Sequence, residues 1–388
     1  MDYGAIGNGI TDDSQVCALE NGTATLKVPP EKTFMLKPLK FIGPCGFSSV
    51  HFQLEGNIVA PNSTKEWTGL NPNRWIDFAN INGLIIDGGG QIDGRGSVWW
   101  SPCKVKICQR PTALFIHNCP KLQLSGTRHL NSARNHISIN LSNDINIVNI
   151  TITAPQDSPN TDGIDITKSS YILIQNSTIA TGDDCIAMNN GTSNVNITDV
   201  TCGPGHGIRY RYIFIMEFLN AKISLSLTLF LAPVLSVGSL GAKKAYETVE
   251  HVRVHNCNFK EAKNGMRIKT WPGGSGYARD ISFEHIVLTN TKNPIIINQG
   301  YKDVENDDDK IEESYVEVSD VTYGDINGTC ADQIAINFNC GGGEGCTGII
   351  MQEINITSTL SGKTLRASCN NAHGSATSTL PPVSCLLN

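Results

Sequence analysis

Three carboxylates, a histidine and two cations fall at matching points of a repeating chain. Asp162 lies in Ser158-Pro159-Asn160-Thr161-Asp162-Gly163, and Asp183 and Asp184 lie in Thr181-Gly182-Asp183-Asp184-Cys185. His206 lies in Gly203-Pro204-Gly205-His206-Gly207, and Arg267 and Lys269 lie in Met266-Arg267-Ile268-Lys269. Carboxylates crowded into one patch cannot all ionise cheaply, so at least one pKa rises. A protonated carboxylic acid beside ionised carboxylates is what glycosidic cleavage requires: an acid for the leaving oxygen and a base for water. Arg267 and Lys269, two apart on a strand and so on one face, suit a substrate that carries its own carboxylate. Taken singly, each motif reads as a turn with local hydrogen bonds. Their common position in the repeat is what makes them a site.

That repeat places apolar residues at x, x+2, x+5 and x+7. It reads Ile145, Ile147, Ile150, Ile152, then Ile172, Ile174, Ser177, Ile179, then Val195, Ile197, Val200, Cys202. Further copies are Val252, Val254, Cys257, Phe259; Ile281, Phe283, Ile286, Leu288; and Ile349, Met351, Ile354, Ile356. Steps of two are strand alternation, and the step of three is a bend that resets which side chains face inward. A second short strand follows several copies, as in Gly163-Ile164-Asp165-Ile166, Cys185-Ile186-Ala187-Met188 and Pro294-Ile295-Ile296-Ile297. Where the copies follow one another closely, as from Ile145 to Ile172 to Val195 and from Val252 to Ile281, no room is left for the crossover helix of a βαβ unit. The pattern predicts an all-β, single-stranded right-handed parallel β-helix over residues 1–388 as one domain. Successive coils stack about 4.8 Å apart, which gathers the polar motifs on one face.

Composition agrees. With 17% charged residues, 40% hydrophobic residues and 37 Gly in 388, the chain is neither a disordered polymer nor a coiled coil. A net charge of −6 gives no bulk electrostatic reason to bind nucleic acid. Thirteen cysteines and nine Asn-x-Ser/Thr sequons favour a secretory, oxidising history. The cysteines show no zinc-type pairing. Cys185 and Cys202, flanking the polar motifs, are placed to clamp them with a disulfide. The opening Met1-Asp2-Tyr3-Gly4 carries no signal-peptide pattern, so a secreted product implies a leader absent from this chain.

Asn160-Thr161-Asp162, Gly182-Asp183-Asp184, Gly205-His206-Gly207 and Arg267-Ile268-Lys269, in that order, resemble the polygalacturonases of glycoside hydrolase family 28, plant type. The resemblance implies hydrolysis of α-1,4-linked galacturonan in pectin, with inversion, by a secreted cell-wall enzyme. It implies that Asp183 is the general acid, that Asp162 and Asp184 position and deprotonate water, and that His206 supports protonation of the acid. Arg267 and Lys269 match binders of the galacturonate carboxylate, and Asn160 and Tyr301 match substrate contacts. No metal or organic cofactor is implied. The expected partner is homogalacturonan, with no membrane or nucleic acid, and the expected state is a monomer. Rival readings are a calcium-dependent pectate lyase on a similar solenoid and a catalytically impaired pectin-binding protein.

Two places depart from the family pattern. After Gln15 the chain passes at once to Val16-Cys17, where the family carries a longer amphipathic helix that caps the solenoid; Cys17 can still pair with Cys45. The motif Gly-His-Gly-Ile, ending at Ile208, is separated from Ser236-Val237-Gly238-Ser239-Leu240-Gly241 by residues 209–235. This block is rich in Leu, Ile and Phe and holds no glycine, cysteine or sequon. Its apolar run, Ile223 to Leu235, is too short for a bilayer span, which needs about 20 residues. Excising the block restores a continuous motif, so it reads as translated intron; retained, it would crowd His206 or the cleft.

Overall fold

Every strand pairing named below is parallel, and each joins a strand to its counterpart one coil further along the chain. The computed structural model describes residues 6–12, 25–46, 48–100, 109–203, 235–300 and 313–387. Among these residues the strands form an eleven-stranded sheet and a nineteen-stranded sheet, wound as a right-handed parallel β-helix. The second short strand of each sequence repeat builds the eleven-stranded sheet: Ile164–Thr167, Ile186–Met188, Asn264–Thr270, Asn293–Asn298 and Ile334–Asn339.

Inward side chains stack into columns that run the length of the molecule. One passes through Ile145, Ile172, Val195, Val252, Ile281, Val321 and Ile349 in register. In the eleven-stranded sheet, Leu114, Ile137, Ile164, Ile186, Leu235, Met266, Ile295 and Ile336 form another. All members of both columns are buried, so each inner residue is covered by its own repeats above and below. Leu235, the last residue of the compositionally foreign block, belongs to this core: it opens the strand Leu235–Leu240 and pairs with Ile186 and Met266. The rest of that block lies outside the described residues.

The step of three has a backbone cause. The residue at x+4 is left-handed in every copy: Asn149, Asn176, Asp199, Asn256, His285 and Glu353 all have φ between 49° and 56°. A single left-handed residue turns the strand without breaking it, and Asn and Asp tolerate that conformation best. Where His285 occupies it, Nδ1 lies 2.7 Å from Oδ2 of Asp325, which holds the same bend position one coil on at φ 45°. Among the described residues no helix is long and apolar enough to cross a membrane.

Candidate active site

The acidic motifs sit where the chain enters the strands of the eleven-stranded sheet, on its outer surface. Asn160 has φ 52°, and this turn aims Asp162 outward just before Ile164 begins its strand. The Ser158 and Thr161 hydroxyls, 2.6 Å apart, brace the turn. Thr161 Oγ1 also accepts from the Gly182 N–H at 3.0 Å, which locks the Asp162 turn to the Asp183 turn on the next coil. Gly182 is required here because a Cβ would collide with the Ser158 carbonyl. The Cys185–Cys202 disulfide, with an S–S distance of 2.02 Å, anchors the residue directly after Asp184, as the sequence predicts. Cys45 has a free thiol, and Cys17, its expected partner, lies outside the described residues.

One carboxylate oxygen each from Asp162, Asp183 and Asp184 lies within 4.8 Å of the other two. Asp184 is 2% exposed, and its Oδ2 accepts from Lys269 Nζ at 2.7 Å. Burial works against the Lys269 ammonium, but the Asp184 charge and hydrogen bond hold its pKa above the ordinary value. Burial, with the adjacent Asp184 charge, lifts Asp183 to about 6, against the opposing pull of Lys269. Burial and the charges of Asp165, Asp183 and Asp184 hold Asp162 well above the usual carboxylate range. Asn160 Nδ2 reaches Asp183 Oδ2 at 3.4 Å. Arg267 lies on the same strand as Lys269 and pairs with Ser236 in the column that continues through Ala187 to Asp165. The structure therefore brings together Asn160, Asp162, Asp183, Asp184 and Lys269, with Arg267 on the same outer face. His206 and Tyr301 lie outside the described residues.

Three neighbours complete the site without having been singled out by the sequence. Asp165 points outward two residues after Gly163, and burial with the Asp184 charge raises it to about 7. Strand alternation from the inward Ile164 and Ile166 was the available signal. Arg110 is 8% exposed; it donates to Ala133 O at 3.0 Å, to Pro159 O, and to Asn160 Oδ1 at 2.6 Å. His136 is fully buried, and Nδ1 bonds the Asp162 carbonyl at 3.0 Å while Nε2 accepts from the Ser132 N–H at 3.2 Å. Burial lowers its pKa to about 4, so it ties Asp162 to the preceding coil as a neutral ring. Nothing in the local sequence around Arg110 or His136 marks either as adjacent to the acids, because the contacts cross coils.

The sequence profile for "Glycosyl hydrolases family 28" matches residues 18–209 and 234–380. A probable polygalacturonase of Arabidopsis thaliana is 43% identical over 395 residues, covering 99% of this chain and 79% of its own. A polygalacturonase of Persea americana is 39% identical over 381 residues, covering 95% and 76%. Among solved structures, endo-xylogalacturonan hydrolase from Aspergillus tubingensis superposes with a TM-score of 0.73 at 24% identity, covering 94% of this chain and 90% of that one. Endopolygalacturonase I from Stereum purpureum, in complex with two galacturonates, gives 0.61 at 18% identity, covering 92% and 94%. These two likenesses establish the shared solenoid. The profile match and the plant relatives go further: the chain belongs to family 28 of the glycosyl hydrolases.

Proposed function

We propose that this protein is a secreted, monomeric polygalacturonase that hydrolyses α-1,4 bonds of galacturonan in the plant cell wall. The observation that carries the reading is the trio of carboxylates with graded surroundings. Asp183, raised to about 6, is the proton donor to the leaving oxygen. Asp184, paired with Lys269 at 2.7 Å, deprotonates the water, and Asp162, held above the usual carboxylate range, positions it. Asn160, hydrogen-bonded to Asp183, orients the acid, and Arg267 and Lys269 take the substrate carboxylate. His206 and Tyr301 keep the roles that the family resemblance implies for them.

The usual inverting arrangement sets acid and base carboxyl groups roughly 6.5–9.5 Å apart to admit a water. Here one oxygen from each of the three groups lies within 4.8 Å of the other two, and a water shared by Asp162 and Asp184 would sit beside the acid. Stereochemistry therefore tests the assignment directly. Proton NMR of freshly cleaved oligogalacturonate is expected to show the inverted anomer first. Initial appearance of the retained anomer would show that a carboxylate attacks carbon and would remove the water-holding pair.

A further inference from the structure

Arg74 opens the strand Arg74–Ala79 of the sheet that carries the acidic centre, and its guanidinium is held in a fixed pose. The guanidinium carbon lies 3.6 Å from the centroid of the Phe115 ring, and Nη1 donates to Oδ2 of the buried Asp77 at 3.1 Å. Phe115 in turn stacks with His117, ring centroids 6.2 Å apart and 15° from parallel. The Arg74 side chain nevertheless remains 36% exposed.

Register fixes where this group stands relative to the acids. Arg74 pairs with Thr112. Leu114 pairs with Ile137, Ile137 with Ile164, and Ile164 with Ile186. Counting two residues back from each, the column of Arg74 runs through Thr112 and Asn135 to Asp162 and Asp184. Arg74 therefore stands three coils from Asp162, about 14 Å, and four from Asp184, about 19 Å. Arg267 lies in the opposite direction, reached from Asp165 through Ala187 and Ser236. A 1,4-linked sugar chain laid along the solenoid axis advances by a length close to one coil per unit. A polyuronide seated at the acids thus brings a carboxylate over Arg74 about four units from the point of cleavage.

We propose that Arg74, flattened on Phe115, forms a distal subsite for the carboxylate of a uronate unit, on the far side of the acidic centre from Arg267. This rests on the polygalacturonase reading and adds chain-length recognition to it. Asp77 engages one edge of the guanidinium and leaves N–H donors for a planar carboxylate. The stacked pose is already ordered, so binding loses little side-chain freedom.

The test is binding without turnover, in the full chain carrying Asp183→Asn, measured calorimetrically with three-unit and eight-unit oligogalacturonates. Adding Arg74→Gln is expected to weaken the eight-unit ligand about tenfold, the worth of one charge-assisted contact, and to leave the three-unit ligand unchanged. Arg74→Lys is expected to recover part of the loss. Equal weakening of both ligands, or an unchanged eight-unit affinity with only a lowered melting temperature, would make Arg74 a structural strand anchor and overturn the subsite. Failure of either ligand to bind the Asp183→Asn chain at all would overturn the polygalacturonan reading itself.

Discussion

At the residue scale, neighbouring carboxylates have different surroundings, and the proposed mechanism rests on that difference. Asp183→Asn removes the transferable proton while keeping the shape, so kcat is expected to fall by about 10²–10⁴ with oligogalacturonate affinity retained, as stopped assays and calorimetry can measure. Since the acid must be protonated, kcat is expected to decline as pH rises through about 6, the value to which Asp183 is lifted. The same shifts carry a stability consequence of definite sign. Asp183 and Asp165 hold their protons to about 6 and about 7 in the fold, whereas an unfolded Asp releases its proton near 3.9. Between about pH 4 and 7 the folded chain therefore binds more protons, and the contribution of these groups is present at acid pH and lost as pH rises. Asp165→Asn is expected to flatten that decline in thermal melts taken across the range. Asp162, Asp183 and Asp184 were legible in sequence because each sits at a strand entry with turn residues around it. Arg110 and His136 were not, because they reach Asn160 and Asp162 from earlier coils and only register reveals the contact.

At the element scale, one left-handed residue per coil sets the alternation of the whole solenoid. Asn256, exposed at φ 54°, is expected to cost roughly 1–2 kcal/mol when replaced by Val, which resists that conformation, with Asn256→Gly near neutral in urea titrations. Inside the coils, Ile174 is fully buried, and Ile174→Ala is expected to cost about 2–5 kcal/mol. The apolar period exposed the six copies between Ile145 and Ile356 but passed over the coil of Val321, Tyr323 and Ile326, which lies between Ile281 and Ile349 and has Gly328 at its fourth position. It also missed the coil before Ile145, where Leu122 and Leu124 are followed by Thr127 and His129 at the same inward positions. Thr127 Oγ1 and His129 Nε2 hydrogen-bond at 3.0 Å, Nδ1 of His129 is buried without a partner, and burial drives His129 down to about 3, so a neutral polar pair fills places where a hydrophobic filter sees nothing. Earlier still, the glycine run Gly88-Gly89-Gly90 changes the offset between Ile86 and Ile92 and hides the repeat.

At the scale of the molecule, a long, charge-poor chain becomes a single stack whose outer face concentrates the charges that matter. The family match skips residues 210–233, and the inner column resumes at Leu235 between Ile186 and Met266. Joining Ile208 to Ser236 sets an isoleucine where Leu235 stands, a volume-conserving exchange within an aliphatic column. We propose that the block is an insertion into a complete coil, and that its removal raises soluble yield and melting temperature; a shortened chain that fails to fold would show the block to be structural. The central claim, that graded carboxylates on this face hydrolyse galacturonan, is tested most directly by incubating the chain and its Asp183→Asn variant with polygalacturonate. New reducing ends with the inverted anomer and no unsaturated, ultraviolet-absorbing product are predicted, at a rate that collapses in the variant. Unsaturated products, or equal release by both proteins, would contradict it.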